Sequence, residues 1–233
     1  MLSVVVPAYN EEANIDETLD AVLRHLDHRT RPGEVIVVDD GSQDQTGPIV
    51  RGWAARDTRV HLLRHATNLG YGAALRTGIH AARGEHIFVT DADLQFDVNE
   101  LAHLDAWTGR FDIIVGYRRA RQDPWIRLVN AWGWNRLVNG LLGLGVRDVN
   151  CAFKIFHRRV FDQVGIHSDG AFVNAEILAQ ARAAGFRVKE VPVTHFPRRA
   201  GVATGAHPRV IGRAWVDLGR YYGEHRKARS APP

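Results

Sequence analysis

The sequence predicts an α/β fold, a mixed and mainly parallel sheet flanked by helices in a single domain. Three observations carry this reading. Short apolar runs alternate with amphipathic stretches at helical spacing along most of the 233 residues, and strands separated by helices pair in parallel. Three of those runs end in polar clusters, as strands do where their carboxyl ends line the crevice of an open α/β sheet. The composition, 45% hydrophobic and 24% charged, shows no shift that would cut the chain in two, and the length suffices for one substantial core.

The first strand is Leu2 to Val6, running into Pro7-Ala8-Tyr9-Asn10-Glu11-Glu12. Ile15, Leu19, Val22, Leu23 and Leu26 then share one helical face, with Asn14 and Glu17 as a capping-box start. Glu34 to Val38 is a second strand ending in Asp39-Asp40-Gly41-Ser42, followed by a helix over Thr46 to Arg56 carrying Ile49, Val50 and Trp53. Val60 to Leu63 is a third strand, Gly72 to Arg83 a helix, and His86 to Thr90 a buried fourth strand. Val98 to Trp107 reads as a helix and Asp112 to Tyr117 as a fifth strand. Beyond Tyr117 come basic residues, a long helix over Trp125 to Leu142, a strand over Ala152 to Phe156, a helix over Asn174 to Ala184 and a strand over Arg187 to Val193. An amphipathic helix over Pro208 to Arg226 closes the domain, and Lys227 to Pro233 is expected to be disordered.

The chemistry concentrates at Asp91-Ala92-Asp93-Leu94-Gln95, where the fourth strand ends. Alternation along an extended chain sends Asp91 and Asp93 to the same side, where they repel unless a hard cation joins them. Carboxylate and amide oxygens suit Mg²⁺ or Mn²⁺, whose shell is normally completed by substrate phosphates. Asn68-Leu69-Gly70-Tyr71-Gly72 offers two glycines before a helix, where bare backbone can approach a nucleotide. The third glycine of a dinucleotide fingerprint is replaced by Leu75, which sets an oxidoreductase aside. The one cysteine, Cys151, excludes an internal disulfide and a Cys-rich zinc site, and is read as a core residue. A formal net charge of +4 suits anionic partners, but the basic residues follow no nucleic-acid motif, so no nucleic-acid partner is expected. The amino-terminal residues carry no leader pattern, and no apolar run reaches membrane-spanning length.

Together the Pro7 to Glu11 segment, Asp39 to Thr46, Asn68 to Gly72 and Asp91 to Gln95 resemble the inverting glycosyltransferases of family 2, which have a GT-A (Rossmann-like) fold. Within that family the chain resembles the dolichol-phosphate mannose synthase and polyprenyl-phosphate glycosyltransferase branch, from Leu2 to about Gly201. The resemblance implies a nucleotide-binding part over about 1–117, bordered by Pro7, Ala8, Tyr9 and Glu11, with Asp39 as partner of the base and Asp40, Asn68 and Gly70 nearby. A carboxylate accepting from ring N–H groups suits uracil or guanine, so the donor is expected to be a UDP- or GDP-sugar. Asp91, Asp93 and Gln95 would hold Mg²⁺ or Mn²⁺ against the diphosphate, with Asp91 also near the donor sugar.

An acceptor part is expected over about 118–207. A lipid phosphate is already an anion and needs arginines to hold it, whereas a hydroxyl benefits from a general base. Gly116-Tyr117-Arg118 resembles the branch's Gly-x-Arg element, Arg127 opens the long helix where the branch has another Arg, and Arg198 or Arg199 precedes Gly201. Asp148 would contact donor sugar or acceptor, or serve as base toward a hydroxyl; Asn174 and Glu176 read either as site residues or as a helix entry, the latter favoured. One departure stands out: Gly201-Val202-Ala203-Thr204-Gly205 has Thr204 and no Lys where relatives often carry Gly-x-Ser-Lys.

The expected function is therefore transfer of a hexose from a nucleotide sugar to a polyprenyl phosphate. A hydroxyl acceptor and a catalytically silent nucleotide- or partner-binding scaffold are the alternatives. Peripheral contact with the cytoplasmic membrane face would come from Trp125, Trp132, Trp134 and Leu141 to Leu144, or from Trp215, Leu218, Tyr221 and Tyr222. The same helices would otherwise serve a membrane-protein partner or a homo-oligomer.

Overall fold

A computed structural model describes residues 1–119, 125–200 and 208–230, without the side chains of Ile126, Arg127, Pro208 and 225–230. The side chain of Arg127, of the expected acceptor grip, and the Gly201 to Gly205 segment thus lie outside what is described. Seven strands form one sheet in the order β3-β2-β1-β4-β6-β5-β7: β1 (Leu2–Ala8), β2 (Gly33–Asp39), β3 (Val60–Arg64), β4 (His86–Val89), β5 (Ile113–Arg119), β6 (Lys154–His157) and β7 (Val188–Thr194). All neighbours pair in parallel except β6, which runs antiparallel to both β4 and β5.

Period-two alternation splits the strand residues between two cores, which makes three layers. Val4, Val6, Val35, Val37, Phe88, Ile114 and Ile155 face α1 (Ile15–Asp27), α2 (Thr46–Ala54) and α4 (Leu101–Asp105). Val5, Ile36, Val38, Ile87, Val89, Ile113 and Val115 face α3 (Tyr71–Ala81), α5 (Trp125–Leu142), α6 (Val173–Ala183) and α7 (Pro208–Ser230). Chain order reverses between β1 and β4, and that switch point is where a crevice opens at the carboxyl edge of the sheet.

Several local expectations change. Asn14 is 1% exposed and its side chain does not cap α1; its amide donates instead to Glu11 Oε2 at 2.8 Å and to the Ala200 carbonyl at 3.3 Å. The expected Val98 to Trp107 helix starts as a 3₁₀ turn over Val98–Glu100, capped by Asp97, and its α-helical part is short. The sixth strand begins at Lys154 rather than Ala152, because residues 148–153 form the loop that delivers Asp148 to the crevice. The last helix continues to Ser230, past the expected end at Arg226, so the described part of the tail is helical.

Candidate active site

The loops after β1 and β2 are stapled together at the crevice floor. The Asn10 N–H donates to Ser42 Oγ and the Gln43 N–H to Asn10 Oδ1, both at 2.9 Å, and the Glu11 N–H donates to Thr46 Oγ1 at 2.8 Å. Asn10 takes φ 55°, a left-handed conformation that Asn tolerates. Pro7 and Ala8 are buried within β1, and only Tyr9 and the residues after it reach the opening. Asp39, expected to meet the base, is fully buried. Its Oδ1 accepts the Ser42 N–H at 2.8 Å, and Oδ2 lies 3.1 Å from Arg64 Nε. Oδ1 thus closes its own turn, while Oδ2 is buried without a hydrogen-bond partner among the described residues.

Asp40 is likewise committed to the chain. It accepts the Leu69 and Gly70 N–H groups at 2.9 and 2.8 Å and lies 2.6 Å from His65 Nδ1. That clamp positions the Asn68 loop, whose glycines have a packing reason of their own. A β-carbon on Gly70, at φ +106°, would lie 2.4 Å from the Asp169 carbonyl oxygen, and one on Gly72 would lie 2.0 Å from that of Ser168. Both bare faces pack against the 168–169 turn. Asn68 itself is exposed.

Beyond β4, Leu94 adopts φ 58°, which costs an aliphatic side chain about 1–3 kcal/mol. It re-aims the Asp91 to Gln95 segment. Burial, then the neighbouring Asp93 charge, pushes Asp91 up to about 7 against the opposing charge of Lys154. Asp93 is raised as well, chiefly by burial, against the Gln95 N–H and the Arg198 cation. Beside the pair the Tyr71 hydroxyl is held un-ionised, first by burial and then by the Asp91 charge. Two carboxyls that burial and neighbouring carboxylate charge, Asp93 on Asp91 and Glu11 on Asp93, drive toward protonation fit a divalent cation, which would remove both penalties. Asp93 already draws a stand-in cation: Arg198 donates to Asp93 Oδ2 at 3.3 Å and to Glu11 Oε1. Gln95 offers its amide Nε2 to the Phe196 carbonyl at 3.1 Å, so the donor end of this side chain is the one engaged.

Across the crevice, Arg118 forms a two-pronged pair with Asp148, Nε to Oδ2 at 2.6 Å and Nη2 to Oδ1 at 2.8 Å, with side chains only 14% and 8% exposed. The fork fixes the guanidinium plane. Of the two late arginines only Arg198 reaches the crevice; Arg199 pairs with Glu17 at the surface, 67% and 57% exposed. Asn174 and Glu176 serve structure: Asn174 accepts from Lys154 Nζ at 2.9 Å, and Glu176 accepts the His167 and Ser168 N–H groups.

Lys154 escaped sequence reasoning. It is 2% exposed and donates to the Cys151 carbonyl, which ties the Asp148 loop to β6. Burial lowers its pKa to about 8 while the Asp148 and Asp91 charges oppose that fall. The available signal was a basic residue inside an apolar strand. Cys151 is a core residue as expected, its thiol raised to about 12 by burial first.

Glutamate, two aspartates and oriented arginines around one switch-point crevice are the equipment for handling phosphorylated ligands. Residues 3–165 match the model of glycosyl transferase family 2. The chain is 35% identical over 207 residues to glycosyltransferase AglD of Haloferax volcanii, spanning 84% of this chain and 33% of that protein. It is 32% identical over 213 residues to polyprenol monophosphomannose synthase of Mycolicibacterium smegmatis, spanning 86% of this chain and 79% of that protein. It spans 61% and 64% of two further curated relatives. In three dimensions it is similar to glucosyl-3-phosphoglycerate synthase from Mycobacterium tuberculosis, solved with Mn²⁺ and UDP-glucose, at a TM-score of 0.72 and 20% identity over 93% of this chain and 78% of that one. The fold is GT-A, and the chain belongs to glycosyl transferase family 2.

Proposed function

We propose that the chain transfers a hexose, with inversion, from a UDP- or GDP-sugar to a polyprenyl phosphate, using a divalent cation. The observation that carries this reading is the buried Asp91–Asp93 carboxyl pair with the Arg118 fork, held by Asp148, near enough for its charge to act on Asp91. The carboxyl pair calls for a cation, and Arg118, its charge balanced by Asp148, is the guanidinium held in place beside it. A glycosyl transfer onto a phosphate needs both and no general base. Residues 1–117 would serve the donor and 118–207 the acceptor.

Asp91, Asp93 and Gln95, with Glu11 beside them, would hold Mg²⁺ or Mn²⁺, which when bound supplies Lewis-acid neutralisation of the departing diphosphate. Arg118, preoriented by Asp148, would grip the acceptor phosphate and keep one oxygen aimed at the sugar. Asp148 has both oxygens on Arg118, which leaves it poorly placed as a base and speaks for phosphate over hydroxyl. A groove of about 610 Å³ beside Arg147 is lined by Trp132, Arg136 and Val146, a mixture that suits a lipid with an anionic head. Trp125, Trp132, Trp215 and Tyr222 are exposed on α5 and α7, whereas Leu144, Leu218 and Tyr221 are buried and Trp134 packs on Trp215. That outward aromatic face supports peripheral attachment at the cytoplasmic membrane surface; among the described residues no helix is long and apolar enough to cross a bilayer. The relatives' printed names, polyprenol monophosphomannose synthase among them, support the lipid acceptor.

The test is nucleoside diphosphate release from UDP- and GDP-hexoses, with and without a short polyprenyl phosphate and with Mn²⁺ or EDTA. Release that depends on both lipid phosphate and cation is expected. Release driven instead by hydroxyl acceptors would move the acceptor class, and silence under all conditions would favour a binding scaffold.

A further inference from the structure

A cation already stands where the carboxylate cluster calls for one. The Arg198 guanidinium bridges Glu11 Oε1 and Asp93 Oδ2, while its Nε donates to the Ala200 carbonyl at 2.8 Å. The three side chains are shielded, 18% exposed for Arg198, 12% for Glu11 and 10% for Asp93.

The segment that carries Arg198 is clipped to the carboxylate loop itself. The Phe196 N–H donates to the Gln95 carbonyl at 2.9 Å, Gln95 Nε2 returns to the Phe196 carbonyl, and Phe96 and His195 form an antiparallel bridge. Upstream, the Thr194 N–H and hydroxyl both donate to Glu100, and downstream Asn14 holds the Ala200 carbonyl. The guanidinium is therefore delivered to these oxygens by the backbone on both sides of it. A divalent ion bound to the same carboxylates would face that guanidinium at a few ångströms, and two cations so close repel strongly in a shielded site.

We propose that Arg198 and the divalent cation are alternative occupants of the Glu11–Asp93 carboxylates, and that loading the cation moves the guanidinium onto phosphate oxygens of the bound substrate. The metal-free site thereby keeps its acidic cluster neutralised, and a diphosphate gives the displaced arginine a new partner. Cation and nucleoside diphosphate then bind cooperatively, each favouring the same position of Arg198. The exchange at the carboxylates stands on the geometry alone; its second half rests on the proposed glycosyl transfer.

The experiment is calorimetric titration of the whole chain with MnCl₂, alone and with saturating UDP or GDP, for wild type, Arg198→Gln, Arg198→Lys, Arg199→Gln and Asp93→Asn. Melting temperatures in the same buffer identify any variant that has lost its fold. Without nucleotide, Arg198→Gln should bind Mn²⁺ about tenfold more tightly than wild type, the scale of one charge-assisted contact removed. Arg198→Lys should lie between them, Arg199→Gln should match wild type, and the gain in Mn²⁺ affinity on adding nucleotide should shrink in Arg198→Gln. Unchanged or weaker Mn²⁺ binding by folded Arg198→Gln overturns the exchange while leaving the proposed function standing. Absence of Mn²⁺ binding by wild type and Arg198→Gln alike overturns the cation site itself, and with it both readings.

Discussion

Replacing Asp91 with Asn isolates the electrostatic strain in the carboxyl pair. In the metal-free protein, burial and then the Asp93 charge raise Asp91 from 3.8 to about 7. The folded chain keeps a proton there that the unfolded chain releases near pH 4. The stability this contributes is complete below about pH 4 and is lost as pH rises through about 7. A shift of about 3 units at about 1.4 kcal/mol each sets a ceiling of about 4 kcal/mol, of which about 2–3 kcal/mol falls between pH 5 and 7.5. Asn resembles the protonated carboxyl and does not titrate. Urea denaturation in EDTA should therefore show wild type losing that amount relative to Asp91→Asn across this window, with the variant the more stable at pH 7.5. Mn²⁺ needs the ionised pair, so its stabilisation of wild type should grow over the same window and be much smaller in the variant. Equal pH slopes for the two proteins in EDTA would refute the reasoning.

Gly72→Ala should cost about 2–3 kcal/mol in thermal denaturation, because its β-carbon meets the Ser168 carbonyl, whereas Gly140→Ala on α5, with open space around it, should be neutral or stabilising. Asp148→Asn should break the fork on Arg118 and raise the acceptor Michaelis constant about tenfold with little change in the donor's, measured in steady-state kinetics. A double Trp125→Ser, Trp132→Ser variant should keep its unfolding free energy within about 0.5 kcal/mol, since both rings are exposed, yet sediment less with anionic liposomes.

The strands of the donor half were legible because apolar runs and their polar ends are local patterns. β1, β2 and β4 each show a run of Val, Ile or Phe ending in acids, and that was enough to place Asp91 and Asp93 at a crevice. What depended on distant partners was not legible. Arg118 and Asp148 are thirty residues apart, and nothing local says that one carboxylate holds the other's guanidinium. The packing need for Gly70 and Gly72 was not legible, because the chain that covers their bare faces comes from residues 168 and 169. Arg198 and Arg199 are adjacent and chemically identical, so only the backbone path through Phe196 and Ala200 separates the one at the crevice from the one on Glu17. The antiparallel sense of β6, between β4 and β5, is set by the path of the chain rather than by its own four residues.

The most direct measurement is mass spectrometry of the lipid fraction after incubating the protein with Mn²⁺, a panel of UDP- and GDP-hexoses and a short polyprenyl phosphate. The account predicts a polyprenyl phosphate heavier by one hexose residue, formed from one donor class, absent in EDTA and absent with Asp93→Asn. An unmodified lipid under conditions where the donor is consumed would contradict it.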